Sequence, residues 1–178
     1  MLNKKSLQNL YDFASVLVTA VLAVTVIFTF CFKISAVDGS SMNNTLADGD
    51  RVIITARDWN VENGDIVVIS QPNIYEKVLI KRVIATEGQT IEINAAEGQV
   101  IVDGEVLQEP YIAETTRVQG NMTYPIVVPE GYVFVMGDNR NASTDSRDKF
   151  VGLIDTRYIV GEAIYRVGDS HLLTSSAE

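Results

Sequence analysis

The chain is predicted to be mainly β, with a single N-terminal transmembrane helix followed by an all-β domain. Three observations carry that prediction. Residues 13–32 contain no Asp, Glu, Lys or Arg and are mostly Val, Leu, Ala, Phe, Ile and Thr; an α-helix needs about twenty such residues to cross a hydrocarbon core about 30 Å thick. Beyond them, apolar residues recur with a period of two in short β-branched runs separated by Gly, Asp, Asn or Pro, the pattern of strands joined by turns. About 140 residues follow the helix, enough for one domain with its own core and too few to expect two.

Residues 1–12 form a short segment carrying Lys4 and Lys5, and Asp12 and Lys33 bracket the apolar run. Lys4, Lys5 and the amino terminus outweigh Lys33 and Arg51, so the positive-inside rule predicts a cytoplasmic N-terminus and an extracytoplasmic domain. A cleaved signal peptide is the alternative, since Ile34-Ser35-Ala36 loosely fits a small-residue cleavage site. Twenty residues are long for such a segment, however, and Lys33 sits badly just before the cut. Residues 33–167 make up the outer domain, with strands expected at 52–55, 65–69, 78–84, 90–93, 100–102, 132–135 and 159–165. Asp103-Gly104, between 100–102 and 105–107, is a hairpin signal because both central residues of a type I′ turn need positive φ. Residues 87–131 hold most of the acidic and turn residues and read as an appended sub-region, while the polar tail 168–178 is expected to fray.

The net charge is −9, and apart from Lys4-Lys5 most of the Lys and Arg residues are scattered singly. Lys81-Arg82 is the one adjacent basic pair beyond them, and this distribution offers no phosphate-binding stripe and argues against nucleic acid as a partner. Cys31 is the only cysteine and lies inside the apolar run, so neither a disulfide framework nor a thiolate metal site is expected.

Ser41-Met42 and Lys81-Arg82 are the candidate reactive pairs. A serine hydroxyl is a poor nucleophile until a base takes its proton, and the usual base is histidine. The sole histidine, His171, stands in the tail after Gly168-Asp169-Ser170, where nothing apolar follows to hold it, so it reads as a solvated residue. Lys81 is the other candidate base: Val78-Leu79-Ile80 and Val83-Ile84-Ala85 flank it, and an apolar setting lowers an ammonium pKa towards neutrality. Taken alone, Lys81 reads rather as a strand-end lysine reaching out to water, and Ser41 as an ordinary loop serine.

Four stretches, taken together, go further. Val37-Asp38-Gly39-Ser40-Ser41-Met42-Asn43-Asn44-Thr45-Leu46, Gly64-Asp65-Ile66-Val67-Val68, Lys81-Arg82-Val83-Ile84-Ala85, and Gly137-Asp138-Asn139-Arg140-Asn141-Ala142-Ser143-Thr144-Asp145-Ser146-Arg147 resemble, in order and rough spacing, the four boxes of the bacterial type I signal peptidases. The resemblance covers nearly the whole chain, and its last box is highly specific. It implies a single-pass cell-membrane anchor carrying an all-β catalytic domain on the outer face. It also implies a Ser/Lys dyad that removes signal peptides from exported preproteins, after small residues at the third and first positions before the cut. The partners implied are signal peptides and the lipid bilayer, with no cofactor and no metal.

Matched by position, Ser41 would attack the scissile carbonyl. Lys81 would act as general base and then protonate the leaving amine. The backbone N–H of Ser41 would form part of the oxyanion hole; Gly39 stands where some relatives place a serine donor, so a backbone donor is implied instead. Ser143 matches a hydroxyl that contacts the lysine amine, and Asp145 with Arg147 matches a supporting ion pair. Met42, Leu46, Leu79 and Ile80 would line two shallow apolar pockets that meet an extended substrate strand. Asn44 stands where the family usually has Pro, retaining an N–H and more backbone freedom. Two rival readings stay open on sequence. One is a self-cleaving repressor-type protease with the same Ser/Lys chemistry, although a transmembrane run replaces its DNA-binding domain. The other is a catalytically dead, membrane-anchored β domain that binds exported segments.

Overall fold

The computed structural model describes residues 3–55, 60–72, 77–168 and 173. His171 and most of the 168–178 tail lie outside the described residues. The chain opens with one long helix, α1 (Lys4–Cys31), which begins well before the charge-free stretch. Asn3 caps it, its side chain accepting from the Lys5 amide. α1 contains an apolar span long enough to cross a membrane. The helix stops at Cys31, and Phe32 already belongs to a strand, β1 (Phe32–Ala36).

That strand was not anticipated, because its residues Phe-Lys-Ile-Ser-Ala read as the end of the apolar run and a short tether. It pairs antiparallel with β2 (Arg51–Thr55) from Phe32↔Thr55 through Ala36↔Arg51. The strands that follow are β3 (Ile66–Ile69), β4 (Leu79–Ala85), β5 (Thr90–Asn94), β6 (Gln99–Val102), β7 (Glu105–Val106), β8 (Ile126–Val127), β9 (Tyr132–Met136), β10 (Ile154–Asp155) and β11 (Ile159–Val167). The two-residue strands β8 and β10 were also not anticipated, being too short to show a period. Between β6 and β7, Asp103 and Gly104 have φ of 53° and 83°, the pair of left-handed residues a type I′ turn requires.

All pairings are antiparallel. One sheet has seven strands in the order β1-β2-β11-β3-β4-β9-β10, and a second has four in the order β7-β6-β5-β8. The small sheet is built wholly from the 87–131 stretch. β3 lies deep in the large sheet and is buried along its whole length. Its Ile66 and Val68 face a core with Val37, Met42, Leu46, Val52, Ile54 and Ala163, while Val67 and Ile69 face another with Val83, Val133, Val135, Val151 and Ile154. Alternate residues of one strand therefore serve two cores, as the pleat demands. A third core joins the two sheets, packing Ile84, Phe134 and Met136 against Ile91, Ile93, Val100 and Val102.

Candidate active site

The pleat also separates the two basic residues of β4. Lys81 lies opposite Val67 and Arg82 opposite Ile66 in the β3 ladder, so their side chains leave on opposite faces of the sheet. Lys81 is 3% exposed. Its Nζ donates to Ser41 Oγ at 2.7 Å and to the Ile80 carbonyl at 2.9 Å. Burial pulls the Lys81 pKa down from 10.5 to about 8, against the opposing pull of the Asp145 and Asp138 charges and helped by Arg147. A substantial fraction of the lysine is therefore neutral near pH 8, and a neutral amine can accept the proton of the serine it touches.

Ser41 sits in the turn that follows β1. Asn139 holds this turn, its amide donating to the Ser41 carbonyl at 3.0 Å and its side-chain Nδ2 to the Ser40 carbonyl at 3.1 Å. Gly137 explains how the two loops come so close: a Cβ there would collide with the Ser41 carbonyl and the Ser143 side chain. The Gly39 amide is taken by Asp48 Oδ1 at 2.7 Å. It is therefore committed to shaping the turn rather than facing the cleft.

Arg82 forms a fork with Asp138, Nε to Oδ1 at 2.9 Å and Nη2 to Oδ2 at 2.7 Å, and its Nη1 donates to the Gly64 carbonyl. Both partners of that fork are buried. Asp138 also accepts from the Thr45 hydroxyl, four residues past Ser41. A second fork joins Arg147 to Asp145, both contacts at 2.8 Å, and Asp145 Oδ2 also accepts from the Gly137 amide. Charge-assisted two-point contacts of this kind fix orientation as well as adding energy.

A cleft of about 240 Å³ opens beside the pair, its walls including Met42, Leu79, Ile80, Ala142 and Thr144. Two expectations need correction. Leu46 does not reach the cleft; it has no exposed surface and packs beneath Met42 in the core. Ser143 Oγ is buried without a hydrogen-bond partner, and the Lys81 amine donates to Ser41 Oγ and the Ile80 carbonyl. The residues that sequence reasoning left aside are Thr45, Arg82, Asp138, Asn139 and Arg140. Their signal was present in the boxes, but only distances show that these residues tie the boxes together. Among the described residues no three His, Cys, Asp or Glu side chains gather as a metal site would require.

Comparison with known proteins identifies the family. The family model described as signal peptidase, peptidase S26, matches residues 10–167. The chain is 34% identical over 172 residues to signal peptidase I of Bacillus licheniformis, covering 89% of this chain and 88% of that one. It is 38% identical over 161 residues to a probable signal peptidase I-1 of Synechocystis sp., covering 84% and 78% respectively. With signal peptidase I S of Bacillus subtilis it shares 31% identity over 170 residues, 89% of each chain. A solved signal peptidase I from Enterococcus faecalis is 28% identical, with a TM-score of 0.46 over 58% of this chain and 97% of that one. With a family model spanning most of its length and relatives above 30% identity matched nearly end to end, the chain belongs to the signal peptidase family, peptidase S26, and is a serine endopeptidase of the type I signal peptidase class.

Proposed function

We propose that this enzyme removes signal peptides from exported preproteins with a Ser41/Lys81 dyad, while anchored in the cell membrane by one helix. The observation that carries the reading is the 2.7 Å contact between Lys81 Nζ and Ser41 Oγ, made by a buried lysine whose pKa has fallen to about 8. In its neutral form Lys81 takes the Ser41 proton as Oγ attacks the scissile carbonyl. The resulting ammonium then returns that proton to the leaving amine, and water completes the hydrolysis of the acyl-serine by the same route in reverse. The Ser41 amide supplies one oxyanion donor. The Arg147–Asp145 and Arg82–Asp138 forks hold the loops around the dyad in register.

Residues 13–31 span the bilayer, the expected span losing Phe32 to β1; residues 1–12 are cytoplasmic and residues 32–167 form the extracytoplasmic domain, with 87–131 as its appended part. The charge asymmetry around the apolar run supports that orientation. Ser41 follows the end of α1 by ten residues, a tether that keeps the nucleophile near the membrane surface, where the cleavage site of a membrane-engaged signal peptide also lies. The small cleft bounded by Met42, Leu79 and Ile80 suits small side chains on an extended substrate.

The direct test is cleavage of a model preprotein by the detergent-solubilised chain. Ser41→Ala and Lys81→Ala should each remove nearly all turnover, and the double variant should be little worse than either, since residues acting as one unit are not additive. Wild-type turnover in Lys81→Ala would end the lysine-base reading.

A further inference from the structure

Behind the dyad, on the face of β4 that Lys81 does not use, lies a buried cluster reached from the appended region. Glu109 Oε1 contacts Arg140 Nη1 at 2.5 Å, and the two side chains are 6% and 0% exposed. The Tyr111 hydroxyl donates to the same Glu109 oxygen at 3.3 Å. The Tyr111 ring lies under the Arg82 guanidinium at 3.9 Å from its centroid, with the Arg140 guanidinium at 5.8 Å. Tyr111 thus meets both guanidiniums, while Glu109 pairs with Arg140 and Asp138 with Arg82. The segment continues along the catalytic loop: Thr116 Oγ1 accepts from Arg140 at 3.2 Å, the Val118 carbonyl accepts from Arg147 at 2.8 Å, and the Arg117 amide donates to Asn141 Oδ1 at 2.9 Å.

We propose that Glu109 and Tyr111 are positioning residues for the peptidase reaction: they clamp the Arg82–Asp138 fork from behind and thereby hold the loops that carry Ser41 and face Lys81. The inference rests on the Ser41/Lys81 reading. Its physical basis is the geometry of a desolvated cluster. A guanidinium over an aromatic face is held more strongly away from water than in it. A buried charge that loses its partner must find another or disrupt its surroundings. Arg140 has one buried nitrogen, Nη2, without a partner already. With Glu109 neutralised, the remaining anion of the cluster is Asp138, the residue that anchors both Arg82 and Thr45.

Loss of the clamp therefore reaches Lys81 electrostatically as well as mechanically. Lys81 faces Asp145, Asp138 and Arg147 from the loop after β9, Ser41 and Asp38 from the nucleophile turn, and Lys77 just ahead of its own strand. Drawing the Asp138 charge towards Arg140 leaves the Lys81 ammonium less well supported, so its pKa falls further and the neutral form is reached at lower pH.

The test compares Tyr111→Leu, Tyr111→Phe, Glu109→Gln and Lys81→Ala in the full chain in detergent. A peptide with small residues at the third and first positions before the cut serves as substrate, and thermal melts run alongside. Tyr111→Leu should lower kcat roughly ten-fold with little change in KM, and Tyr111→Phe, which keeps the ring, should recover most of that loss. Glu109→Gln should lower kcat and move the ascending limb of the pH–kcat/KM profile to lower pH. Kinetics and pH profiles like wild type in Tyr111→Leu and Glu109→Gln, beside an inactive Lys81→Ala, would overturn the clamp and leave the dyad standing. Losses that follow the melting temperature equally in all three clamp variants, Phe included, would also overturn it. Full turnover in Lys81→Ala would instead remove the dyad reading on which the clamp depends.

Discussion

Replacing Lys81 with Met should abolish turnover and yet make the folded protein more stable at neutral pH. The side chains have similar length, and the site that receives them is buried. A pKa lowered from 10.5 to about 8 means that the fold disfavours the ammonium by about 3 kcal/mol relative to the unfolded chain. Below pH 8 both states are protonated, so that penalty is present in full. Between pH 8 and 10.5 the unfolded chain holds a proton that the folded one has released, so wild-type stability rises with pH through this window and the penalty fades. Met removes the penalty but leaves Ser41 Oγ and the Ile80 carbonyl without their donor, at a cost of about 1 kcal/mol each for these part-buried contacts. The expected net gain is about 1–2 kcal/mol below pH 8, shrinking and then reversing towards pH 10.5. Unfolding of the full chain in detergent, followed by near-UV circular dichroism between pH 6 and 10.5, measures both the gain and its slope. A variant less stable than wild type at pH 7, or one whose stability climbs between pH 8 and 10.5 as steeply as wild type, would refute the view of Lys81 as a desolvated, strained base.

Other outcomes follow from the same geometry. Because Lys81 must be neutral to act, kcat/KM should rise with pH through about 8, and Lys81→Arg, charged at any accessible pH, should not restore activity; an optimum near pH 5 would point to a carboxylate base. Ile80→Ala should relax the preference for Ala over Leu just before the cut, since Leu overfills the wild-type pocket by an amount worth about 1–3 kcal/mol; the check is the ratio of kcat/KM for the two substrates, and an unchanged ratio would take Ile80 out of the pocket. In a Cys31→Ser background, an impermeant thiol reagent applied to intact cells should label a cysteine placed at Ser175 and spare one placed at Ser6, with the reverse pattern contradicting the proposed orientation.

Several parts of this architecture were readable from the residues alone, for reasons that are local. The strands at 51–55, 66–69, 79–85 and 132–136 declare themselves because β-branched residues and turn residues alternate on the scale of a single strand. The Asp103-Gly104 hairpin does so because its backbone angles restrict which residues fit. What could not be read was the order of strands in the sheet. β11, last in the chain, inserts between β2 and β3, and no local pattern encodes that choice. β1 was invisible because its first residue, Phe32, ends the apolar run and the four that follow are too few to show a period. In the site, Ser41 and Lys81 could be singled out by chemistry and by resemblance, but the 2.7 Å contact depends on long-range pairing. Leu46 was misassigned because an apolar residue near a nucleophile looks the same in sequence whether it faces a cleft or a core. Glu109 and Tyr111 gave no signal at all, as an acid and a tyrosine in a turn-rich stretch ordinarily face water.

The junction between α1 and β1 has a mechanical consequence. Phe32 both caps the helix, donating its amide to the Phe28 carbonyl, and begins a strand locked residue by residue onto β2. No loop residue separates the two. A helix that leads straight into a sheet behaves as an axle, so the azimuth of the cleft is tied to the rotation of the helix about its own axis. Each residue inserted into the span turns that axle by about 100°. The compass bearing of the nucleophile is thus written into the register of the apolar segment. A segment of unaltered length and hydropathy but shifted phase would hold the catalytic domain at the right height while pointing it away from its approaching polypeptide.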